Sequence, residues 1–162
     1  MKSSKKYKKL LKRLKKKMNE TIYTIGHSTR KLDEFIDILK FFKIEILVDV
    51  RHFPKSTYNP HFNKEDLSTE LTKNNINYLW IEKLGGFRKG GYLEYMKTKE
   101  FKDGFDELVK IAKDNKTAIM CAELLWFKCH RRFISNKLIE LGFKVSHIFD
   151  KNKVYEHKLR EL

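Results

Sequence analysis

The chain has 162 residues and a mass of 19.5 kDa, which suits one compact domain with an appendage and excludes two full cores. With 41% hydrophobic and 13% aromatic residues it can bury an ordinary core, so disorder throughout and fibrous repeats are also excluded. The longest apolar run, 118–122, is far shorter than the roughly 20 residues that span a bilayer, so we expect a soluble protein with no membrane partner. Two late cysteines and an N-terminus without an apolar segment favour the cytoplasm over export.

Positive charge is concentrated at the N-terminus. The chain has 36 Lys and Arg against 21 Asp and Glu, for a formal net charge of +15. Residues 1–20 contain nine Lys, Arg13 and Glu20, so this basic leader carries +9 and the rest of the chain only +6. Apolar residues recur in it at helical spacing, which predicts a basic amphipathic helix for an acidic partner, although a disordered, solvated tail explains the charge equally well.

From Thr21 onward, short apolar strands alternate with helical patterns, which is typical of βα repeats and a mostly parallel sheet. Five strands are predicted, at 21–25, 45–50, 76–81, 117–121 and 143–149. Helices are predicted from 32 to 39, from a capping box at Asn63 to 73, after a Thr98 cap, and from 128 to 141. The sequence therefore predicts a single α/β domain over residues 21–150, with helices on both faces of a five-stranded sheet and a tail over 151–162.

Polar residues follow three of the predicted strands. In open α/β sheets, ligands bind beyond the carboxyl ends of the strands, at the point where the strand order reverses. The commonest right-handed winding gives the order 3-2-1-4-5, in which the first and fourth strands are neighbours. Ser28 and Glu123 also follow these strands. We therefore expect one pocket at this edge, lined by His27, Asp49, Arg51, Cys121 and Arg131.

The segment Cys129-His130-Arg131-Arg132 falls in the first turn of the last predicted helix. That end of a helix is positive, so cationic side chains there cost up to about 1 kcal/mol, and a bound anion resolves the conflict. We expect backbone N–H groups and Arg131 to hold a phosphate or carboxylate. The same field favours the thiolate of Cys129, which makes it a candidate nucleophile or redox thiol, whereas a plain buried cysteine is the alternative for it and for Cys121.

Other chemistry is less well supported by the spacing. Cys121, Cys129, His130 and His27 could form a zinc site, but neither a C-x₂₋₄-C nor an H-x₃₋₅-H pair is present, so no metal is expected. The chain also lacks G-x-G-x-x-G, Walker and C-x-x-C sequences, so no cofactor is predicted. On a helix, adjacent Cys129 and His130 point about 100° apart, which makes His27 the better partner for a thiol.

Two loops are candidates for ligand contacts. Asp49 and Arg51 share one face of a strand end, either as a buried ion pair or as an acid beside an anion clamp, and both interpretations stay open. The polar loop after them carries Pro54 and Ser56, and is most simply a turn. The loop with four glycines between 85 and 91 is long enough to be a mobile segment that touches ligand, and aromatic residues such as Phe87 could stack on bases.

Five motifs, in order, resemble the family of domain of unknown function 488. They are Tyr23-Thr-Ile-Gly-His-Ser-Thr29, Leu47-Val-Asp-Val-Arg-His-Phe-Pro-Lys-Ser56, Leu84-Gly-Gly86, Met96-Lys-Thr-Lys-Glu-Phe101, and Met120-Cys-Ala-Glu123 with Cys129-His-Arg131. The similarity covers about residues 21–150 and leaves the leader outside. The family has no settled activity, so the resemblance implies a single α/β domain with clustered polar motifs and no particular reaction.

One segment departs from the family pattern. In that family a polar, Pro-containing link commonly joins Cys-Ala-Glu to Cys-His-Arg, whereas residues 124–127 here are Leu, Leu, Trp and Phe. This link is therefore expected to pack differently or to offer an aromatic platform.

These residues favour an enzyme that acts on an anionic substrate, a nucleotide or a nucleic acid. The predicted catalytic residues are His27, Asp49, Cys121, Glu123 and Cys129. The predicted substrate-binding residues are Ser28, Arg51, Ser56, His130 and Arg131. The alternative is a noncatalytic nucleic-acid-binding module, and no oligomeric state is predicted. Catalysis requires a Cys, a His and an acid within about 3 to 4 Å of one another or around one cavity, whereas binding requires only a basic face.

Overall fold

The computed structural model describes residues 2–18 and 20–159, in which strands and helices alternate along the chain. The strands are β1 (Thr21–Gly26), β2 (Ile46–Asp49), β3 (Asn77–Trp80), β4 (Thr117–Cys121), β5 (Lys144–Asp150) and β6 (Lys153–Glu156). The helices are α1 (Lys2–Met18), α2 (Leu32–Phe41), α3 (Lys64–Lys73), α4 (Tyr92–Tyr95), α5 (Lys99–Asp114) and α6 (Arg131–Glu140).

All six strands form one sheet in the order β3-β2-β4-β1-β5-β6. The pairs among the first five strands are parallel, and only β6 runs antiparallel, against β5. The predicted α/β class with a mostly parallel sheet is confirmed, and β1 and β4 are neighbours as expected. The predicted order 3-2-1-4-5 is wrong, because β4, which is buried at every position, lies between β1 and β2.

Helices cover both faces of the sheet, as predicted. On one face, α2 and α3 bury an apolar stripe against the Leu47 side of β2. On the other face, α5 and α6 pack against the Val48 side of the same strand. Successive strand residues point to opposite faces, so this alternation divides the core into two clusters. Cys121 and Cys129 both belong to the cluster beneath α5 and α6.

Of three predicted helix starts, one is confirmed and two are not. Thr98 caps α5 as predicted, since its hydroxyl oxygen accepts the Phe101 N–H at 3.2 Å. The capping box at Asn63 is wrong, because its side chain accepts the N–H of Ser56 at 2.7 Å and makes no capping bond to α3. The last helix, α6, begins at Arg131 rather than 128, so Cys129 precedes it.

The ends of β1 and β4 form the crevice in which the sequence places a ligand. The chain leaves β1 toward β2 and leaves β4 toward β5, on opposite sides, which makes this the switch point of the sheet. Pairing continues past the strands, because His27 N–H donates to Cys121 O at 2.9 Å and Ser28 N–H to Ala122 O at 3.0 Å. A side chain at Gly26 would overlap the carbonyl group of Glu123, so only glycine allows the segment after β4 to pass this close to the end of β1.

The leader is helical over α1, where the side chains of residues 4–13 are exposed. No helix in the described part of the chain is both long and apolar enough to span a bilayer. Beyond β5, the chain turns back at Asp150 and adds β6 to the edge of the sheet.

Candidate functional site

A cavity of about 620 Å³ opens at the carboxyl edge of the sheet. The ends of β1, β2 and β4 form its floor, and its walls come from the glycine-containing loop and the start of α6. The sequence-predicted residues that line it are His27, Arg51, Ser56, Cys121, Glu123, Cys129 and His130. Ser28, Asp49 and Arg131 do not line it. The strand-end argument therefore locates most of the predicted residues around one space.

Two thiols meet on the cavity floor. The sulfur of Cys121, at the end of β4, lies 2.8 Å from the sulfur of Cys129, which precedes α6. Both cysteines are buried, with 2% and 8% of their surface exposed, yet both line the cavity. Within residues 2–18 and 20–159, no group of three or more His, Cys, Asp and Glu side chains is arranged to hold a metal ion.

Cys129 and His130 form a contact that sequence reasoning rejected. The Cys129 sulfur lies 3.6 Å from Nδ1 of His130. The two side chains were expected to diverge on a helix, but Cys129 has extended backbone angles, φ −134° and ψ 158°, after a short 3₁₀ turn at Trp126–Lys128. The 100° helical rotation per residue does not apply to a residue outside the helix. His130 is therefore a partner of the thiol.

The surroundings of Cys129 favour its thiolate. Its sulfur accepts the backbone N–H of Arg131 at 3.4 Å, at the positive end of α6. The hydrogen bond with Cys121 lowers the pKa of Cys129 far below its ordinary range, and His130 and Arg131 add to the effect. Burial and the same hydrogen bond raise the pKa of Cys121. The pair therefore holds one negative charge, on Cys129.

This charge accounts for the cationic residues at the start of α6. The next N–H groups of the first turn are already occupied, since Arg132 N–H donates to Cys129 O at 3.2 Å and Phe133 N–H to His130 O at 3.1 Å. The nearest anion to the helix start is thus the Cys129 sulfur itself. An external phosphate is not required to explain why His130 and Arg131 stand there.

His130 is held in place by two elements far from it in sequence. Its Nε2–H donates to the carbonyl oxygen of Val50, just after β2, at 2.7 Å. Its other nitrogen, Nδ1, faces Cys129. A Cβ atom added at Gly86 would lie only 3.1 Å from this Nδ1. The Tyr92 ring packs 5.2 Å from the imidazole. The glycine-containing loop therefore contributes a wall to the cavity and leaves room for this histidine.

Asp49 and Arg51 form a buried ion pair. Arg51 donates from Nε and Nη2 to the Asp49 carboxylate at 2.9 and 2.7 Å, and Asp49 is fully buried. The same carboxylate accepts the hydroxyl of Tyr78, and Arg51 also donates to the carbonyl oxygen of Phe62 at 2.8 Å. Of the two interpretations left open by the sequence, this geometry matches the ion pair, and it gives Asp49 no contact with the cavity. Tyr78 carried no sequence signal beyond its strand position.

His27 is a neutral imidazole fixed at the cavity wall. Its Nδ1–H donates to the carbonyl oxygen of Ser28 at 2.9 Å, and Nε2 accepts from Nη1 of Arg51 at 3.3 Å. Burial, with the Arg51 charge nearby, lowers the pKa of His27 from 6.5 to about 4. The ring stacks on Phe62 with centroids 4.4 Å apart. Ser28 thus contributes its backbone carbonyl, and not its side chain, to this arrangement.

Arg131 lies beneath the cavity rather than in it. Its Nη1 donates to the hydroxyl of Thr24 at 3.2 Å, and its Nη2 donates to the carbonyl oxygens of Glu123 and Leu124. Only 1% of its surface is exposed. The expectation that Arg131 clamps a ligand does not fit this position, because the guanidinium instead fixes the segment after β4. The next residue, Arg132, is exposed and lines the cavity.

The rim of the cavity combines basic and aromatic side chains that the sequence did not single out as a group. The basic members are Lys55, Lys128 and Arg132, and the aromatic members are Phe53, Phe87 and Phe127. These phenylalanines are 67%, 90% and 43% exposed, which is unusual for three such residues around one opening. In the apolar link at 124–127, Phe127 lies at the rim and offers an aromatic face. Trp126 is buried, and its ring stacks on His147 with centroids 4.3 Å apart.

Together these features define an α/β protein with a thiolate, a histidine and a basic, aromatic rim at the switch point of its sheet. The chain belongs to the family described as a domain of unknown function, DUF488, which matches residues 31–138, two thirds of its length. The resemblance seen in the motifs is thereby confirmed. Searches of curated proteins and of solved structures found no match.

Proposed function

We propose that the protein is an enzyme that holds a nucleotide, free or within a nucleic acid, in this cavity and attacks it with the thiolate of Cys129. The observation that carries the proposal is the position of the Cys129 sulfur: on the cavity floor, next to His130 and the Arg131 N–H. A thiolate, not a thiol, is the nucleophile in covalent catalysis.

The nucleophile needs no separate base to remove its proton. The pKa of Cys129 is lowered by its hydrogen bond with Cys121, and its sulfur accepts the Arg131 N–H, so the thiolate is favoured before any substrate binds. His130 Nδ1 lies beside it, and because Nε2 carries the ring hydrogen, Nδ1 is the nitrogen available to exchange a proton with the reacting groups. Glu123 is exposed and lines the same cavity, so its carboxyl group is the second acid–base candidate. Asp49 and His27 position Arg51 and do not act on the substrate in this scheme.

The rim supports the choice of a nucleotide. Lys55, Lys128 and Arg132 offer charges to phosphate oxygens, and the exposed phenylalanines offer flat faces to a base. Stacking of a base on an aromatic side chain contributes about 1–3 kcal/mol, and charged hydrogen bonds to phosphate are about twice as strong as neutral ones. A ligand with both an anionic and a planar part uses both kinds of rim residue.

Alkylation of Cys129 tests the proposal. The ordinary pKa of a cysteine thiol is about 8.5. Iodoacetamide should modify Cys129 well below that pH, while Cys121 reacts slowly. A nucleoside monophosphate should protect Cys129, and inorganic phosphate should protect it less. Mass spectrometry separates the two thiols, because trypsin cleaves between them at Lys128.

Two lysine variants sharpen this test. Lys55→Ala should weaken protection by the nucleotide several-fold, whereas Lys110→Ala, which removes an exposed charge outside the cavity lining, should not. Alkylation of Cys129 only near its ordinary pKa, with no protection by nucleotide, contradicts the proposal.

A noncatalytic nucleic-acid-binding module is the second candidate, and the exposed basic side chains of α1 favour it. A leader with a net charge of +9 supplies salt-dependent phosphate contacts without any reaction. The two functions differ in what Cys129→Ser changes. In the enzyme, this variant abolishes covalent adducts with a reactive nucleotide analogue, whereas in the module no such adduct forms on the wild-type protein.

A further inference from the structure

In the proposed function Cys121 only stabilises the Cys129 thiolate and forms no bond to the substrate. Cys121 nevertheless lines the same cavity as Cys129, and the two sulfur atoms are 2.8 Å apart. Sulfur atoms in a disulfide are about 2.05 Å apart, so the two must approach by less than about 1 Å to bond. They are also the only two cysteines of the chain. Each thiol therefore has one intramolecular partner.

We propose that Cys121 and Cys129 are a redox pair, in which a peroxide that enters the cavity oxidises Cys129 and Cys121 then closes a reversible disulfide. This inference rests on the reactive Cys129 thiolate of the proposed function. It adds a mechanism by which oxidation regulates the activity of that site. The disulfide removes the nucleophile, so oxidation inactivates the site until a thiol reduces it.

The reaction balances in two steps. In the first, the Cys129 thiolate attacks one peroxide oxygen, the O–O bond breaks, and the departing hydroxide takes a proton to become water. In the second, the Cys121 sulfur attacks the sulfur of the Cys129 sulfenic acid, an S–S bond forms, and the S–OH oxygen leaves with the Cys121 proton as water. Two thiols are oxidised by two electrons, and one hydrogen peroxide is reduced to two waters.

The asymmetry of the pair assigns these roles. Cys129 receives the Arg131 N–H and faces His130, so it carries the negative charge that attack on peroxide requires. Cys121 has neither of these partners, and burial raises the pKa of its thiol, so it keeps its proton until the second step. The cavity, at about 620 Å³, is far larger than a peroxide molecule, so both sulfurs are reachable without unfolding.

The test uses the reduced, full-length protein and hydrogen peroxide in slight molar excess. The intact mass should fall by about 2 Da, the mass of two hydrogens, and dithiothreitol should restore it. Trypsin cleaves after Lys116, Lys128 and Arg131, so the disulfide should appear as peptide 117–128 linked to peptide 129–131. Nonreducing electrophoresis should show a monomer, because the bond lies within one chain.

Two variants follow the steps separately. In Cys121→Ser, peroxide should stop at the Cys129 sulfenic acid, which dimedone traps. In Cys129→Ser, Cys121 should remain alkylatable after the same treatment. Circular dichroism checks that both variants are folded, and the wild-type mass measurement decides the question even if one is not.

Three wild-type outcomes overturn the redox pair: both thiols remain alkylatable, Cys129 proceeds to sulfinic acid while Cys121 stays free, or the disulfide joins two chains. Its failure is distinguishable from failure of the proposed function. Rapid alkylation of Cys129 with nucleotide protection but no disulfide rejects only the redox pair. If the disulfide forms but a nucleotide does not protect Cys129, only the proposal that the cavity binds a nucleotide is rejected.

Discussion

The Nε2–H group of His130 donates a hydrogen bond to the carbonyl oxygen of Val50 over 2.7 Å, which ties the start of α6 to the end of β2. This bond fixes the tautomer and orientation of the ring, so that Nδ1 faces the sulfur of Cys129. His130 is therefore the residue through which the sheet edge controls the thiol.

Replacement of His130 by Gln should raise the pKa of Cys129 by about one unit or more, because the amide cannot carry the positive charge that favours the thiolate. The pH dependence of alkylation measures this change. His61→Gln is the matched control, since His61 also bonds a backbone carbonyl, that of Arg30 at 2.9 Å, but does not line the cavity. An equal shift in both variants would show that the effect is not specific to the site.

Asp49→Asn should destabilise the fold by about 3–5 kcal/mol, because it leaves the buried Arg51 guanidinium without its counter-charge. Urea unfolding measures the change. The control is Glu70→Gln, which removes an exposed ion pair with Lys73 and should cost less than about 1 kcal/mol. A small effect at Asp49 contradicts the interpretation of this pair as structural.

Gly26→Ala should move the segment after β4, because the added methyl group meets the carbonyl group of Glu123. We expect a loss of about 1–3 kcal/mol of stability together with slower alkylation of Cys129. Gly90→Ala is the comparison: its φ of 82° makes alanine unfavourable there, but no atom lies within 4 Å. Gly90→Ala should therefore cost about 1 kcal/mol and leave the thiol reactive.

Stability should fall as the pH falls below about 6.5. Because the pKa of His27 is lowered from 6.5 to about 4 in the folded protein, the unfolded chain takes up this proton first. The contribution of neutral His27 to the free energy of unfolding is fully present above its pKa in the unfolded chain and is lost between about pH 6.5 and 4. About 2 kcal/mol is lost from pH 7 to pH 5. The lowered pKa of His147, at about 2, acts in the same direction. Urea unfolding at several pH values gives the free energy of unfolding against pH for wild type and His27→Gln. The difference between the two slopes is the contribution of His27.

Deletion of residues 1–20 should leave the melting temperature nearly unchanged and weaken the salt dependence of oligonucleotide binding. These residues carry +9, and each phosphate that the leader no longer neutralises reduces the slope of log affinity against log salt by about one. Calorimetry and a salt titration measure the two quantities. A truncated chain with an unchanged salt slope would remove the leader from consideration as a nucleic-acid contact.

The sequence predicted the class of the fold and the sheet edge at which the cavity opens, since both follow from local apolar patterns. It could not predict that β4 enters between β1 and β2, because each strand's own pattern says only that it is buried, not which strand lies beside it. The sequence did not predict β6, because its residues are all exposed and show no apolar pattern that marks a strand.

Within the site, the errors arose where a helix boundary decided the direction of a side chain. Moving the start of α6 from 128 to Arg131 places Cys129 in extended backbone and brings it to His130. It also turns Arg131 inward to Thr24 and leaves Arg132 for the cavity. Phe87 and the 124–127 link were predicted as aromatic contacts, but the sequence did not predict that Phe53 joins Phe87 and Phe127 around one opening, because that depends on which loops come together.

The hydrogen bond from the Arg131 N–H to the Cys129 sulfur also has an energetic consequence for any disulfide at this site. Every interaction that stabilises the thiolate exists only in the reduced protein, so it shifts the thiol–disulfide equilibrium toward reduction. The reduction potential of the pair should therefore lie well above that of structural disulfides, which are below about −300 mV. Exchange with a small thiol such as glutathione, which forms a mixed disulfide and then releases oxidised glutathione, should therefore return the pair to the dithiol form and restore the nucleophile.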